Sequence, residues 1–162
     1  MQKVVFSILV DNTSGVLSRI AGLFSRRGYN IDSLVVSDTE DPTVSRMTIV
    51  VHGDEVTIEQ VTKLLHKLID VIKVNDITHE DTVERQLLMV RVSCDHETRG
   101  EIKTLMDIFH ARIIDVGRRS MIIEATGDDD KIDAIIKTLR PFGVQEIVKT
   151  GASAMVRSPK EK

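Results

Sequence analysis

The sequence predicts an α+β protein in which the order βαββαβ occurs twice. Strand-like alternation and helix-like spacing of apolar residues follow one another in the same order in both halves of the chain. Turn-forming residues separate these segments. The apolar fraction of 41% and the charged fraction of 29% are those of an ordinary globular protein, and aromatic residues make up only 3%. We therefore expect folded units with aliphatic cores.

The first half opens with apolar residues that alternate along an extended segment, and the turn residues at 11–15 lead into a helix. Gly28 is expected to end that helix, because glycine adopts the left-handed conformation readily. The loop around Pro42 lacks helical periodicity, which indicates a hairpin. In order, the predicted elements are a strand over 4–10, a helix over Gly15–Arg27, strands over Ile31–Ser37 and Ser45–Val51, a helix marked by Ile58, Val61, Leu65 and Leu68, and a strand over Asp70–Ile77.

The second half repeats this order, so both halves are predicted to be ferredoxin-like units. Its predicted elements are a strand over Gln86–Ser93, a helix marked by Ile102, Leu105, Met106 and Phe109, strands near Arg112–Val116 and Met121–Thr126, a helix marked by Ile132, Ile135, Ile136 and Leu139, and a strand over Gln145–Lys149. The polar, aperiodic segment 79–85 is the predicted linker between domains 1–78 and 86–157. The polar residues 158–162 are predicted to form a disordered tail.

Charge and composition exclude several classes of function. The formal net charge is −3 and the basic residues are scattered, so nucleic acid is not an expected partner. Cys94 is the single cysteine, so no internal disulfide is possible. No apolar run approaches the length that spans a membrane, and the start of the chain lacks a signal peptide pattern. We expect a cytoplasmic protein without a membrane partner.

The start of the first helix is a candidate ligand site. Free backbone N–H groups and the positive end of the helix dipole favour a carboxylate near Asn12-Thr13-Ser14-Gly15. Asn12, and Asn30 just after the helix, each offer an amide oxygen and an amide nitrogen that could hold an ammonium group or a carboxylate. Helix capping alone would also explain these residue types, because they are common at any helix end. The spacing by itself leaves both interpretations open.

The residue pattern of the first half resembles a known family. The segments Asn12–Leu34 and Asp41–Ile49 closely resemble the small subunit of acetohydroxyacid synthase, also called acetolactate synthase. The likeness continues through Glu59–Val74 and Val83–Arg85 and, more loosely, through Ala111–Val116. It therefore covers nearly the whole chain and thins after Asp95.

The resemblance implies an N-terminal ACT domain that binds an amino-acid effector, followed by a second ferredoxin-like domain. It implies that the chain forms a homodimer or a larger assembly and that valine, or another branched-chain amino acid, binds between two ACT domains. The implied contacts of the effector are Asn12, Thr13, Ser14, Gly15 and Val16 of one copy and Asn30 and Ile31 of the other.

The resemblance also implies a catalytic large subunit as partner, which would hold thiamine diphosphate, Mg and FAD. This chain is then a non-catalytic regulatory subunit that raises the activity of the large subunit and makes it sensitive to valine. No cofactor is expected here, since the glycine fingerprints of dinucleotide and phosphate loops are missing. Arg46, in the family-like stretch Ser45-Arg46-Met47, is a candidate contact with the large subunit.

The sequence also admits three other interpretations. A free-standing, amino-acid-sensing ACT regulator of transcription is the alternative function, but no helix-turn-helix segment or basic face is visible. A small enzyme using Cys94 or the histidines would need a partner group, and no second ligand pair stands at a zinc-like spacing. The acidic run 128–130 precedes a helix and lacks the spacing of a calcium loop, which favours a helix cap over a cation site. No metal site is predicted.

Overall fold

The alternation and spacing of apolar residues become two βαββαβ units in the computed structural model, which describes residues 2–159. Of these, residues 2–83 and 152–159 form unit 1, and residues 84–151 form unit 2. The predicted fold class and the order of elements are confirmed. Over the described residues, no helix is both long enough and apolar enough to cross a membrane.

Unit 1 is an antiparallel sheet with two helices on one face. Its elements are β1 (Gln2–Asp11), α1 (Val16–Arg26), β2 (Ile31–Asp38), β3 (Val44–Gly53), α2 (Glu55–Leu65) and β4 (Val71–Asp76). The strand order is β2-β3-β1-β4, so β2 and β4 are the edges of the βαββαβ sheet. The predicted helix over Gly15–Arg27 corresponds to α1 within one residue at each end.

The core of unit 1 lies between the sheet and the helices. On α1 the buried positions recur at helical spacing, so one face of the helix packs on the sheet. Burying each large apolar side chain contributes on the order of 1.5–3 kcal/mol. The buried members are Val4, Phe6, Ile8 and Val10 of β1, Val16, Ile20, Leu23 and Phe24 of α1, Met47, Ile49 and Val51 of β3, and Ile58, Val61 and Leu65 of α2.

Gly28 ends the first helix as predicted. Its φ is +70°, and its N–H donates to the Ser25 carbonyl oxygen at 3.1 Å. The Tyr29 N–H then donates to the Phe24 carbonyl oxygen at 3.0 Å. These bonds satisfy carbonyl groups that the end of a helix leaves free, and the left-handed glycine turns the chain toward β2.

The opposite face of this sheet carries a small second cluster. Val5, Val50 and Ile77 are buried there, and Ala154 of β9 (Ser153–Val156) packs against them. The Arg157 N–H donates to the Asp81 carbonyl oxygen at 2.8 Å. Residues 152–157, which were predicted to belong to the second domain, are grouped with unit 1 in the structure through these contacts.

Unit 2 repeats the fold with its own aliphatic core. Its elements are β5 (Thr82–Ser93), α3 (Thr98–Ile108), β6 (Arg112–Val116), β7 (Ser120–Gly127), α4 (Asp129–Leu139) and β8 (Val144–Lys149). The path through the sheet is β6-β7-β5-β8. The largest fully buried side chains include Leu88, Ile102, Met106, Met121 and Ile123.

The linker prediction was too long at its end. Thr82–Arg85 were assigned to the linker but belong to β5, which the polar composition of the segment concealed. In the predicted tail, Ser158 and Pro159 are exposed and lie outside helices and strands, whereas residues 160–162 fall outside the described residues.

Candidate functional site

The turn between β1 and α1 is held by the neighbouring hairpin. The Asn12 N–H donates to the Thr43 carbonyl oxygen at 2.7 Å, and Asn12 Nδ2 donates to the Pro42 carbonyl oxygen at 2.9 Å. Thr13 and Ser14 follow with exposed side chains. One N–H of the Asn12 amide is therefore used within the turn, and its second N–H and its amide oxygen remain for a ligand.

Gly15 gives the chain the shape it needs to enter α1. Its φ is +86°, a left-handed conformation that glycine adopts without strain. The Arg19 N–H donates to the Gly15 carbonyl oxygen at 3.0 Å, which is the first turn of the helix. Within residues 2–159 no side chain caps this helix, and its first turn contains no acidic residue. The N–H groups of the first turn are therefore available to an anion.

The helices α2 and α4 (Asp129–Leu139) differ from α1, because an aspartate side chain caps the first turn of each. Asp54 Oδ1 accepts from the Thr57 N–H at 2.8 Å before α2, and Asp128 Oδ1 accepts from the Lys131 N–H at 2.9 Å before α4. The cap interpretation of the acidic run 128–130 is thus confirmed for Asp128. In these helices a carboxylate of the chain itself occupies the position that stays open at α1.

Val16 differs from the other residues of the predicted site because its side chain is 3% exposed and belongs to the core. It can offer a ligand only its backbone N–H. Its methyl groups instead pack in the core of unit 1.

Arg19 and Asp70 lie beside the Gly15 turn and were not predicted. Arg19 Nε and Nη2 donate to the two carboxylate oxygens of Asp70 at 2.6 and 2.9 Å. The Arg19 hydrogen bond holds the pKa of the Asp70 carboxyl below its usual value. A Cβ added to Gly15 would lie 3.0 Å from Arg19 Nη1, so the guanidinium closes one side of the turn. A sequence signal existed only for Arg19, which stands one helical turn after Gly15.

Asn30 and Ile31 lie at the start of β2. Asn30 Nδ2 donates to Asp32 Oδ1 at 2.9 Å, and Asp32 Oδ2 lies 2.7 Å from His52 Nδ1. The hydrogen bond from His52 is the main reason that the pKa of Asp32 is lowered. Ile31 is half-buried against the core, whereas Asn30 is exposed. Asp32 and His52 were not predicted, since their pairing depends on the register of the sheet.

The two predicted groups of site residues lie at opposite ends of this sheet. Asp11, next to Asn12, pairs with Val44, whereas Ile31 pairs with Val51 on the same strand. Val51 lies seven positions after Val44 on this extended strand, which is a distance of about 23 Å. One copy of the chain therefore cannot bring Asn12 and Asn30 to the same small ligand.

Arg46 lies on the face of the sheet that the helices leave open. It pairs with Leu9 and Ser37 in the sheet register, and its Nη1 donates to Ser7 Oγ at 2.9 Å. Its side chain is thus held across that face, which is opposite to the face on which α1 packs.

Unit 2 contains the corresponding turn before α3, but its own side chains occupy it. Asp95 Oδ1 accepts from the backbone N–H groups of Glu97 and Thr98 at 2.9 and 2.8 Å. Cys94 is buried, and its N–H donates to the Arg119 carbonyl oxygen. Among residues 2–159, no three His, Cys, Asp or Glu side chains are grouped as metal ligands would be. The open helix start is therefore a feature of unit 1.

Two tandem ferredoxin-like units, the first an ACT domain, are the architecture of a regulatory subunit. The N-terminal unit matches the acetohydroxyacid synthase (AHAS) small subunit-like ACT domain over residues 6–73, and residues 85–158 match the small subunit of acetolactate synthase. The chain therefore belongs to the family of acetolactate synthase small subunits. The predicted resemblance and the regulatory role are confirmed, and a catalytic large subunit is the partner that a small subunit implies.

Individual relatives agree over almost the full length. A probable acetolactate synthase small subunit of Archaeoglobus fulgidus is 54% identical and covers 98% of this chain and 99% of its own. The acetolactate synthase small subunit of Bacillus subtilis is 45% identical and covers 99% and 94%. The crystal structure of the small subunit from Thermotoga maritima matches with a TM-score of 0.89 at 42% identity, over 98% and 99% of the two chains. The free-standing transcription regulator is not supported.

Proposed function

We propose that this subunit binds valine, or another branched-chain amino acid, between two copies of unit 1, and that binding inhibits the large subunit it otherwise activates. The observation that carries the proposal is the position of the two half-sites. The uncapped turn at Gly15 and the exposed amide of Asn30 stand at opposite ends of one sheet.

A two-fold pairing of copies would bring these half-sites together. The edge strand β2 presents unpaired backbone groups, which favour addition of another strand or element. When two such edges meet antiparallel, the end of one sheet lies beside the opposite end of the other. The apolar side chains of Leu17 on α1 and Val36 on β2 are 45% and 40% exposed, which is typical of residues that a second copy covers. The Gly15 turn of one copy then faces Asn30 of its partner.

The chemistry of the half-sites suits a small amino acid. The N–H groups of the first turn of α1 are donors for a carboxylate, and Gly15 lets the ligand approach the backbone. The effector is proposed to contact Asn12, Thr13, Ser14, Gly15 and Val16 of one copy, and Asn30 and Ile31 of the other. Of these, Val16 contributes its backbone alone.

The large subunit is proposed to hold thiamine diphosphate, Mg and FAD and to perform the reaction, so this chain would hold no cofactor and no catalytic residue. Regulation then requires that the effector bind one state of the complex more tightly than the other. A ligand that bridges two copies meets this condition when the pairing of the copies differs between active and inhibited complexes.

The test is to purify this chain with and without its large subunit, measure its mass in solution, and titrate valine. The proposal expects a dimer or larger assembly, higher activity of the large subunit in its presence, and inhibition of the complex by valine. Titrations of leucine and isoleucine define the preference. A strictly monomeric chain that binds no branched-chain amino acid contradicts the proposal.

A further inference from the structure

Asn30, Asp32 and His52 form a short chain of hydrogen bonds at one end of unit 1. Asn30 Nδ2 donates to one carboxylate oxygen of Asp32 at 2.9 Å. The other oxygen lies 2.7 Å from His52 Nδ1. A carboxylate can only accept, so His52 Nδ1 carries the proton in this contact. Asp32 therefore fixes the Asn30 amide, and His52 fixes Asp32.

A β-bulge places Asp32 in this chain. The register between β2 and β3 shifts between Ile31 and Ser33, which leaves Asp32 as the extra residue. Such bulges redirect a side chain and recur beside functional sites. Unit 2 has a bulge after its own first helix, and there the extra residue is Ile114, which is 49% exposed. The fold therefore tolerates an apolar residue in the bulge and does not itself require an acid.

The contact with Asp32 determines which way the Asn30 amide points. If the amide were turned over, its oxygen would face a carboxylate oxygen, and two acceptors repel one another. Asn30 Oδ1 thus points away from Asp32 and accepts no hydrogen bond from the described residues. Asn30 Oδ1 and the Asp32 carboxylate are both acceptors, and together they suit an ammonium group. The Gly15 turn, by contrast, offers N–H donors.

We propose that Asp32 and His52 are positioning residues of the effector site, and that this end of unit 1 takes the ammonium group of the amino acid. The carboxylate then lies at the Gly15 turn of the second copy. The inference rests on the proposed function and assigns the direction in which the effector lies. It also predicts that the site discriminates between ligands. An acid of the same shape that has no ammonium group would lack the contacts at the Asn30 and Asp32 end.

The test compares two ligands by calorimetry on the complete chain. Valine carries both charged groups, whereas 3-methylbutanoate lacks the ammonium group. The wild-type chain is expected to bind 3-methylbutanoate at least about tenfold more weakly than valine, because charge-assisted hydrogen bonds are lost. Asp32→Asn preserves the shape and an acceptor for Asn30 but removes the charge. This variant is expected to bind valine about tenfold to a hundredfold more weakly. Its affinity for 3-methylbutanoate is expected to be unchanged.

His52 is tested by a pair of substitutions. His52→Ala removes the donor to Asp32 and is expected to weaken valine binding. His52→Asn carries an amide N–H where the imidazole Nδ1–H stood, so it is expected to recover most of the affinity. Glu59→Gln is the matched control, because it breaks the Glu59–Lys63 pair on the exposed side of α2. Thermal unfolding of every variant identifies any that fail to fold.

Each result has one meaning. A wild-type chain that binds no valine overturns the proposed function. Valine binding that is normal in the wild type and unchanged in Asp32→Asn overturns the role of Asp32 and leaves the proposed function standing. Equal losses for valine and 3-methylbutanoate in a folded Asp32→Asn chain overturn the direction of the ligand. If a folded His52→Ala chain loses affinity for valine and His52→Asn does not recover it, the role of His52 is overturned.

Discussion

Arg19 and Asp70 form a two-point ion pair that joins the first turn of α1 to the residue before β4, with contacts of 2.6 and 2.9 Å. The backbone of Asp70 is fixed in turn, because its carbonyl oxygen accepts from the Asp11 N–H at 2.9 Å. Two-point pairs of this kind hold a guanidinium in one orientation. The pair therefore anchors the wall of the Gly15 turn to the sheet.

Removing this pair is expected to change the dependence of stability on pH. The pKa of Asp70 is lowered in the folded chain, so the unfolded chain takes up a proton first as the pH falls. Its contribution to stability is present above the unfolded value, near pH 4, and is lost as the pH falls through the folded pKa. In Arg19→Gln this contribution is smaller at neutral pH.

Thermal unfolding from neutral pH to about pH 3 measures the effect, since that range spans the usual pKa of an aspartate. The difference in stability between the wild-type chain and Arg19→Gln should shrink as the pH falls. Lys103→Gln is the matched control, because it breaks an exposed ion pair on α3, with Lys103 Nζ 3.8 Å from Asp107 Oδ2. If the difference in stability between the two chains stays constant across this pH range, the pKa of Asp70 does not depend on Arg19.

The charge of a side chain at position 15 is expected to decide the response to valine. Gly15→Asp and Gly15→Asn introduce side chains of similar shape, and both residues tolerate a left-handed φ better than most. Both would lie close to Arg19 Nη1. Only aspartate would place a negative charge at the uncapped start of α1.

We therefore expect Gly15→Asp to abolish valine inhibition of the reconstituted enzyme and Gly15→Asn to weaken it less. Activation of the large subunit without valine should persist in both, which shows that the variants fold and assemble. Equal valine sensitivity of the two variants would argue against a carboxylate at this helix start.

Arg46 gives a separate prediction about the large subunit. Its guanidinium is held across the open face of the sheet by Ser7 Oγ at 2.9 Å, opposite to the face on which α1 packs. Arg46→Ala is expected to reduce activation of the large subunit while leaving the valine affinity of the isolated chain unchanged. Ser7→Ala should have a smaller effect of the same kind, because it frees the guanidinium without removing it. Full activation by Arg46→Ala would exclude this contact.

Local patterns were sufficient to predict most of unit 1. Val16, Ile20, Leu23 and Phe24 mark α1 by their spacing, and Gly28 marks its end, because both signals lie within a few residues. The open helix start at Gly15 follows from the same local sequence. For this reason the start and the end of α1, where the proposed half-sites lie, could be located without knowledge of the tertiary structure.

The contacts that refine the site depend on residues far apart in the chain. Asp70 lies 51 positions from Arg19, and His52 lies 20 positions from Asp32. Neither pairing has a periodic signal, since each depends on strand register and on where a loop returns. The strand at Ser153–Val156 was missed for the same reason: it is short, and Ala154 gains its burial from a distant cluster.

The sharing of one site between two copies can be tested by placing two substitutions in different arrangements. Gly15→Asp damages one half-site, and Asn30→Ala damages the other, at an expected cost of about 1 to 3 kcal/mol in binding. The half-sites lie at opposite ends of the sheet, so an intact site needs Gly15 of one copy and Asn30 of the next. Two differently tagged chains, expressed together and purified by both tags, give assemblies that contain both variants.

When one chain carries Gly15→Asp and the other Asn30→Ala, a mixed pair retains one site with both halves intact, so valine binding should return. When one chain carries both substitutions and the other is wild type, every site in a mixed pair has one damaged half, so no site should bind valine with the full affinity. Calorimetry compares assemblies with the same substitutions in these two arrangements. A site confined to a single copy predicts the reverse order, because only the wild-type chain would then hold Gly15 and Asn30 together.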